Sequence, residues 1–457
     1  MFIPKLTIAF SVLLLITTTQ ASRLQNLSLD EAIKLMKKNN LEVKISKVNE
    51  QIKQYETQMA TGHKYGKLGV NFQALRSNDA GNIFGFKLKS REASFGDFGF
   101  SDFDMSGQTN PLPVQPKDLN YPDARNHFQT TISYMVPLYT GGKLEQYGKI
   151  SKSLEYMSQL DTSKILNEKI FQTRKTFYDI SLLNQYISNL NNIVSNIDEL
   201  ENIVSSMQEE GFAKKIDILE VQARKAEAQS MLTQANYNKK LAYQYLSFLL
   251  NNEVTSIQNL TDTIPMPEIN AETFLANNLD IQKAKLGVQI TDMLIETQKA
   301  NYLPTVGAFG EYGSSDDKPF NDFIDKDFYT VGVQVEWNLF NGGIDKYNLD
   351  KAKVENLKVR DQVDLAEKGI GLKIAKLQTE IKSKEAEISS LDTQLQFASQ
   401  VYQNYQEQYK EGISSISDVL IKQSKELEVL LKLLTAKNDR NAKVFELKSI
   451  LNEGEQS

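Results

Sequence analysis

The chain has no cysteine in its 457 residues. That single absence excludes disulfides, thiolate metal sites, cysteine nucleophiles and lipidation of an N-terminal cysteine. Histidine is almost as scarce. His63 and His127 are the only two, and neither has a carboxylate or a second histidine at metal-ligand spacing, so they read as one residue near a helix end and one at a strand start. No His-Glu-x-x-His, P-loop or Gly-x-Ser-x-Gly pattern occurs. Gly307, Gly310 and Gly313 imitate a glycine-rich loop, but they lie on a strand with no helix after it, which does not fit a dinucleotide site. No catalytic, cofactor-binding or metal site is therefore expected. Excess positive charge is missing too: the net charge is −6, which argues against nucleic acid as a partner.

Membrane-length apolar runs are also lacking. Leu6 to Ile16 is an apolar stretch of 11 residues, against the ~20 a transmembrane helix needs. It follows the basic start Met1–Lys5 and precedes Thr19-Gln20-Ala21, so residues 1–21 read as a secretory signal peptide. If the remainder enters a membrane, it must do so as a β-barrel. With 40% apolar and 24% charged residues, the chain can build a sizeable ordered structure.

What the sequence does contain is repetition. Pro137-Leu138-Tyr139-Thr140-Gly141-Gly142-Lys143 returns as Asn338-Leu339-Phe340-Asn341-Gly342-Gly343-Ile344, 201 residues later. Glu210-Gly211-Phe212 returns as Glu411-Gly412-Ile413, and Asp217-Ile218-Leu219 as Asp418-Val419-Leu420, at the same offset. Upstream, Asn39-Asn40-Leu41-Glu42-Val43 matches Asn277-Asn278-Leu279-Asp280-Ile281 at an offset of 238. The 37-residue difference is an insertion in the first copy, between Asn40 and Pro137. The chain thus divides into a first repeat (22–250), a linker or equatorial segment (251–270) and a second repeat (271–457).

The hydrophobic period then gives each repeat its elements. Ser28-Leu29-Asp30-Glu31 looks like a capped helix start, and the helical pattern runs to about Gly62; its partner spans about 271–300. Period 2 follows. Leu68, Val70, Phe72 and Ala74 alternate with polar neighbours, as do Phe128, Ile132, Tyr134 and Val136. Tyr329 to Leu339 alternates most strictly, and Thr305–Tyr312 is a weaker strand. Such strands fit one lipid face and one wet face, or a soluble sheet with one buried face. Segments 76–127 and 313–327 read as surface loops. Gly141-Gly142 and Gly342-Gly343 are corners where a strand turns directly into a helix.

Beyond each corner come heptads. Leu183, Tyr186, Leu190, Ile193, Ile197, Leu200, Val204 and Met207 step by three and four, and the run from Ile370 to Tyr409 does the same with one polar slip at Lys384. Gly142 to Gly211 contains no proline, enough for roughly 100 Å of helix. A glycine ends each long helix, and a second heptad helix returns over about 216–250 and 416–451. Tyr402, Tyr405 and Tyr409 read as coiled-coil packing.

Leu27-Ser28-Leu29-Asp30-Glu31-Ala32, Tyr302-Leu303-Pro304 before a strand, the twin corners and the Gly-x-x-x-x-x-Asp-x-Leu tips, in order and in both copies, resemble the TolC-like outer membrane efflux protein family over essentially all of residues 24–453. The resemblance implies a homotrimer. Four strands per chain would form a 12-stranded barrel in outer-membrane lipid of a Gram-negative bacterium, and the long helices an α-helical tunnel in the periplasm. It implies a periplasmic adaptor and an inner-membrane pump of RND or ABC type, in efflux or type I secretion, and no cofactor. It also implies that adaptor hairpins dock at Gly211, Phe212, Gly412 and Ile413. Asp418 would form a ring at the pore constriction, with Asp217 on the outer hairpin; Ile421 stands where some relatives carry a second aspartate. The competing reading is an exported coiled-coil stalk or adhesin, which the duplicated strand pairs do not favour.

Overall fold

The structure, a computed structural model, describes residues 23–260, 264–269, 274–275 and 277–452. The signal-peptide reading of residues 1–21 lies outside the described residues.

The order of elements repeats. The first copy runs α1 (Leu29–Asn39), α2 (Leu41–Gly62), β1 (Lys67–Ser77), α3 (Ala80–Lys89), β2 (Arg125–Tyr139), α4 (Lys143–Glu209) and α5 (Lys215–Leu250). The second runs α6 (Leu279–Lys299), β3 (Thr305–Asp316), β4 (Asp327–Glu336), α7 (Ile344–Lys410) and α8 (Ile416–Ile450). The two long helices have 67 residues each, and the returning helices 36 and 35. Among the described residues no helix is long and apolar enough to cross a membrane.

The expected single helix up to Gly62 is in fact two. Asn40 adopts an extended backbone, with ψ at 129°, and the polar side chain explains the break. Its Oδ1 accepts from the Val43 N–H at 3.1 Å, capping α2. Its Nδ2 donates at 2.9 Å to the Leu249 carbonyl, one of the last of α5. Asn278 does the same 238 residues later: it accepts from Asp280 and Ile281 and donates to Ile450 of α8 at 3.1 Å. One asparagine per repeat therefore starts one helix and closes another. Upstream, the capping box is present: Ser28 and Glu31 exchange side-chain bonds to each other's N–H groups.

Two compact units are distinguishable, 1–48 with 160–282 and 365–457, and 49–159 with 283–364. The first is helical. Its core joins both hairpins through Leu190, Ile197, Leu200 and Val204 of α4, Val221 and Ala228 of α5, Tyr402 and Tyr409 of α7, and Val419 and Leu427 of α8. The three heptad tyrosines thus pack in the seam between hairpins, and burial pushes the Tyr402 hydroxyl up to about 12. The polar slip at Lys384 is explained by ion pairs to Glu387 at 2.9 Å and to Asp439 of α8 at 3.3 Å. The N-terminal stretch forms parallel bridges to the inter-repeat segment, Leu24 with Val254 and Leu27 with Ile257.

The second unit holds an antiparallel sheet in the order β1-β2-β3-β4. β4 is shorter than the pattern suggested and ends at Glu336; Trp337 turns its indole N–H onto the Tyr302 carbonyl at 3.1 Å instead. β3 is longer and reaches Asp316. The segment between β1 and β2 (78–124) has 47 residues, and that between β3 and β4 (317–326) has 10, so the 37-residue insertion sits there. It is not a bare loop. Asp79 caps α3 through the Asn82 N–H at 2.9 Å, and α3 buries Ile83 and Phe86.

Candidate functional site

The sheet is two-faced, and its apolar face is exposed. Strand alternation and register place Val70, Ile132, Tyr312 and Tyr329 in one row across all four strands. Leu68, Phe72, Val331, Val333 and Val335 share that face, with Val331 at 73% and Leu68 at 69% exposure. The other face carries rows such as Ser133, Glu311 and Thr330. A soluble sheet would bury its apolar side. Fully burying such a side chain is worth ~1.5–3 kcal/mol, so leaving this face in water forgoes on the order of 10 kcal/mol. β1 and β4 each have one edge unpaired among the described residues, and an open edge in lipid is costly.

Both corners have left-handed glycines: Gly141 and Gly142 at φ +62° and +84°, Gly342 and Gly343 at +71° and +82°. At Gly141 there is no room either, since a Cβ would stand 2.9 Å from the Ala300 carbonyl oxygen.

The helical tips repeat in atomic detail. Gly211 and Gly412 have φ of +83° and +73°. Phe212 N–H donates to Met207 at 2.7 Å, and Ile413 N–H to Gln408 at 2.8 Å, closing each long helix with a left-handed glycine cap. The side chains of Phe212 and Ile413 are both largely exposed. After each tip an aspartate caps the returning helix. Asp418 accepts from the Ser415 hydroxyl at 2.5 Å and its N–H at 3.4 Å, and Asp217 accepts from the Lys214 N–H at 2.7 Å. Both therefore do helix-end work, and Asp418 remains exposed. The sequence did not reveal the tie between the two tips, from the Ser417 hydroxyl to Glu220 at 2.6 Å. It also missed buried Arg440, which pairs with Glu385 at 2.6 Å.

His63 lies in a turn after α2, and His127 is buried on β2 beneath Phe86. Glu92, Asp316 and Asp317 approach closely enough to suggest a cation site, but Glu92 and Asp316 are already paired with Arg125 and Lys326.

No curated protein matches the chain. Residues 270–453 match the family model described as outer membrane efflux protein. The matched stretch is the second repeat of the chain. The fold of the whole chain agrees. It matches the CmeC outer membrane channel of Campylobacter jejuni at 15% identity and a TM-score of 0.76, covering 93% of this chain and 86% of that one. VceC of Vibrio cholerae, an outer membrane protein, matches at 13% and 0.75, covering 93% and 96%. The open-state MtrE channel of Neisseria gonorrhoeae matches at 13% and 0.74, covering 93% and 88%. The architecture is thus that of the TolC-like channels, strands for a β-barrel joined to long helices, duplicated within the chain.

Proposed function

We propose that the protein is one protomer of a homotrimeric channel, the exit duct of a tripartite efflux or type I secretion system. Three sheets close into twelve strands, whose apolar face meets outer-membrane lipid and whose polar face lines the pore. The exposed apolar face opposite a polar one is the observation that carries this reading. Two copies would give eight strands, whose interior side chains fill; twelve leave a lumen. The duct conducts passively and performs no catalysis. An inner-membrane pump, of RND or ABC type, supplies the energy, and a periplasmic adaptor docks at Gly211, Phe212, Gly412 and Ile413.

The pore constriction is assigned to Asp418, with Asp217 on the outer hairpin helping to hold the closed state. Three converging carboxylates attract cations. The segments 78–124 and 317–326 face outward and the tips face the periplasm. Single cysteines at Asn110 and Gly412 test this in intact cells: an impermeant thiol reagent is expected to label only the first, and labelling of both sites contradicts the arrangement.

A further inference from the structure

The insertion between β1 and β2 lies on the wet face of the sheet. His127, the third residue of β2, lies on the same side as Gln129, Thr131 and Ser133, the polar side. Its ring is 1% exposed, because Phe86 of α3 stacks flat on it, centroids 4.1 Å apart and planes 4° apart. Thr131 and Ser315, also on that side, are buried with it. After α3, whose end Ser90 closes by donating to the Phe86 carbonyl at 2.8 Å, the chain is fastened down. Arg91 donates to the carbonyls of Asp325 at 3.2 Å and Asp327 at 2.5 Å. Glu92 accepts from both Arg125 and Lys326, and Lys326 reaches on to Asp316 at 2.7 Å. The insertion is thereby held to the shorter outer segment and to the strand ends beneath it.

From this geometry we propose that α3 and the turns after it form an outer constriction, a plug in the mouth of the pore that excludes bulky solutes separately from the helical tips. This rests on the channel reading, in which the polar face is the inside of the closed barrel. A helix with its side chains is about 10–12 Å across, so one laid inward from each protomer narrows the mouth substantially. The second repeat has no counterpart, since 317–326 is too short to hold a comparable helix.

Because the chain has no cysteine, Ser133→Cys is a unique probe of the polar face, deeper than His127. Full-length trimers in intact cells are treated from outside with a small charged maleimide or a bulky polyethylene-glycol maleimide. Three backgrounds are compared: the native insertion, Phe86→Ala with Arg91→Ala, and residues 80–120 replaced by a short Gly-Ser turn; trimer assembly is verified for each. The small reagent is expected to label all three. The bulky one should label roughly tenfold faster once the insertion is released or removed, equivalent to about 1.4 kcal/mol of lost covering contact. Equal bulky labelling in all backgrounds overturns the plug and leaves the channel reading intact. If neither reagent reaches Ser133→Cys in any background, the polar face is not a water-filled lumen, and both readings fall.

Discussion

Replacing Asn40 disturbs two helix ends with one side chain. Asn40→Ala removes the cap on α2, worth ~1 kcal/mol, and leaves the buried Leu249 carbonyl without its donor, ~1–3 kcal/mol more. The expected loss is about 2–4 kcal/mol. Asn40→Ser divides the sum, because serine caps a helix well but is too short to replace the 2.9 Å bond to Leu249. It should lose only the second part. Thermal dissociation of the trimer, followed as loss of the slow-migrating band on unheated gels, should rank wild type above Ser above Ala. Asn278→Ala should behave like Asn40→Ala, because its bonds from Ile281 and to Ile450 repeat the two that Asn40 makes. Wild-type thermal behaviour in Asn40→Ala, or Ser as damaging as Ala, refutes the double role.

At the outer segment, burial pushes the Glu92 carboxyl up, but bonds from Lys326 and Arg125 outweigh it and hold the pKa below the usual carboxylate range. A depressed pKa contributes stability that is complete above the unfolded value of about 4.3 and lost as the pH falls through the folded value. Protease nicking of the insertion should therefore rise only below about pH 4, and Glu92→Gln should be nicked readily at pH 7; resistance of Glu92→Gln at pH 7 contradicts the clasp. Gly412→Trp should abolish efflux while trimers persist, measured by drug accumulation; unchanged efflux counts against docking at the tip. Asp418→Asn should weaken cation selectivity and block by multivalent cations in planar bilayers. Untouched selectivity would reduce Asp418 to a helix cap.

Much of this fold is visible in the sequence because its elements are long and periodic. The heptads from Leu190 to Val204 become the buried seam, and the alternation from Tyr329 to Val335 becomes an apolar strand face. Boundaries fail where one side chain decides them. Asn40 is locally only a candidate cap for α2; the donor bond that also closes α5 reaches Leu249, 209 positions away. The insertion is similarly opaque. α3 is only ten residues long, too short for a clear period, and its anchors Asp325 and Lys326 lie far along the chain. At the tips, the glycines and aspartates stand out as repeated letters. Their link through Ser417 and Glu220 does not, because it exists only where the two hairpins meet. No period in the sequence could decide whether an alternating strand faces lipid or a core; the exposure of Val331 and Val333 shows that no described part of this chain covers that face.

That face is the central claim, and a residue-by-residue scan of β4 tests it most directly. Single cysteines at positions 329 to 336, in the cysteine-free chain, carry a spin label in trimers reconstituted into lipid. Collisions with oxygen, which concentrates in the bilayer, should be high at 329, 331, 333 and 335, and collisions with a water-soluble nickel chelate should be high at 330, 332, 334 and 336. A period of two in opposite phase for the two reagents is the predicted result. High nickel accessibility at Val331, Val333 and Val335 would contradict the account, because the apolar face would then stand in water and the sheet would not be part of a membrane barrel.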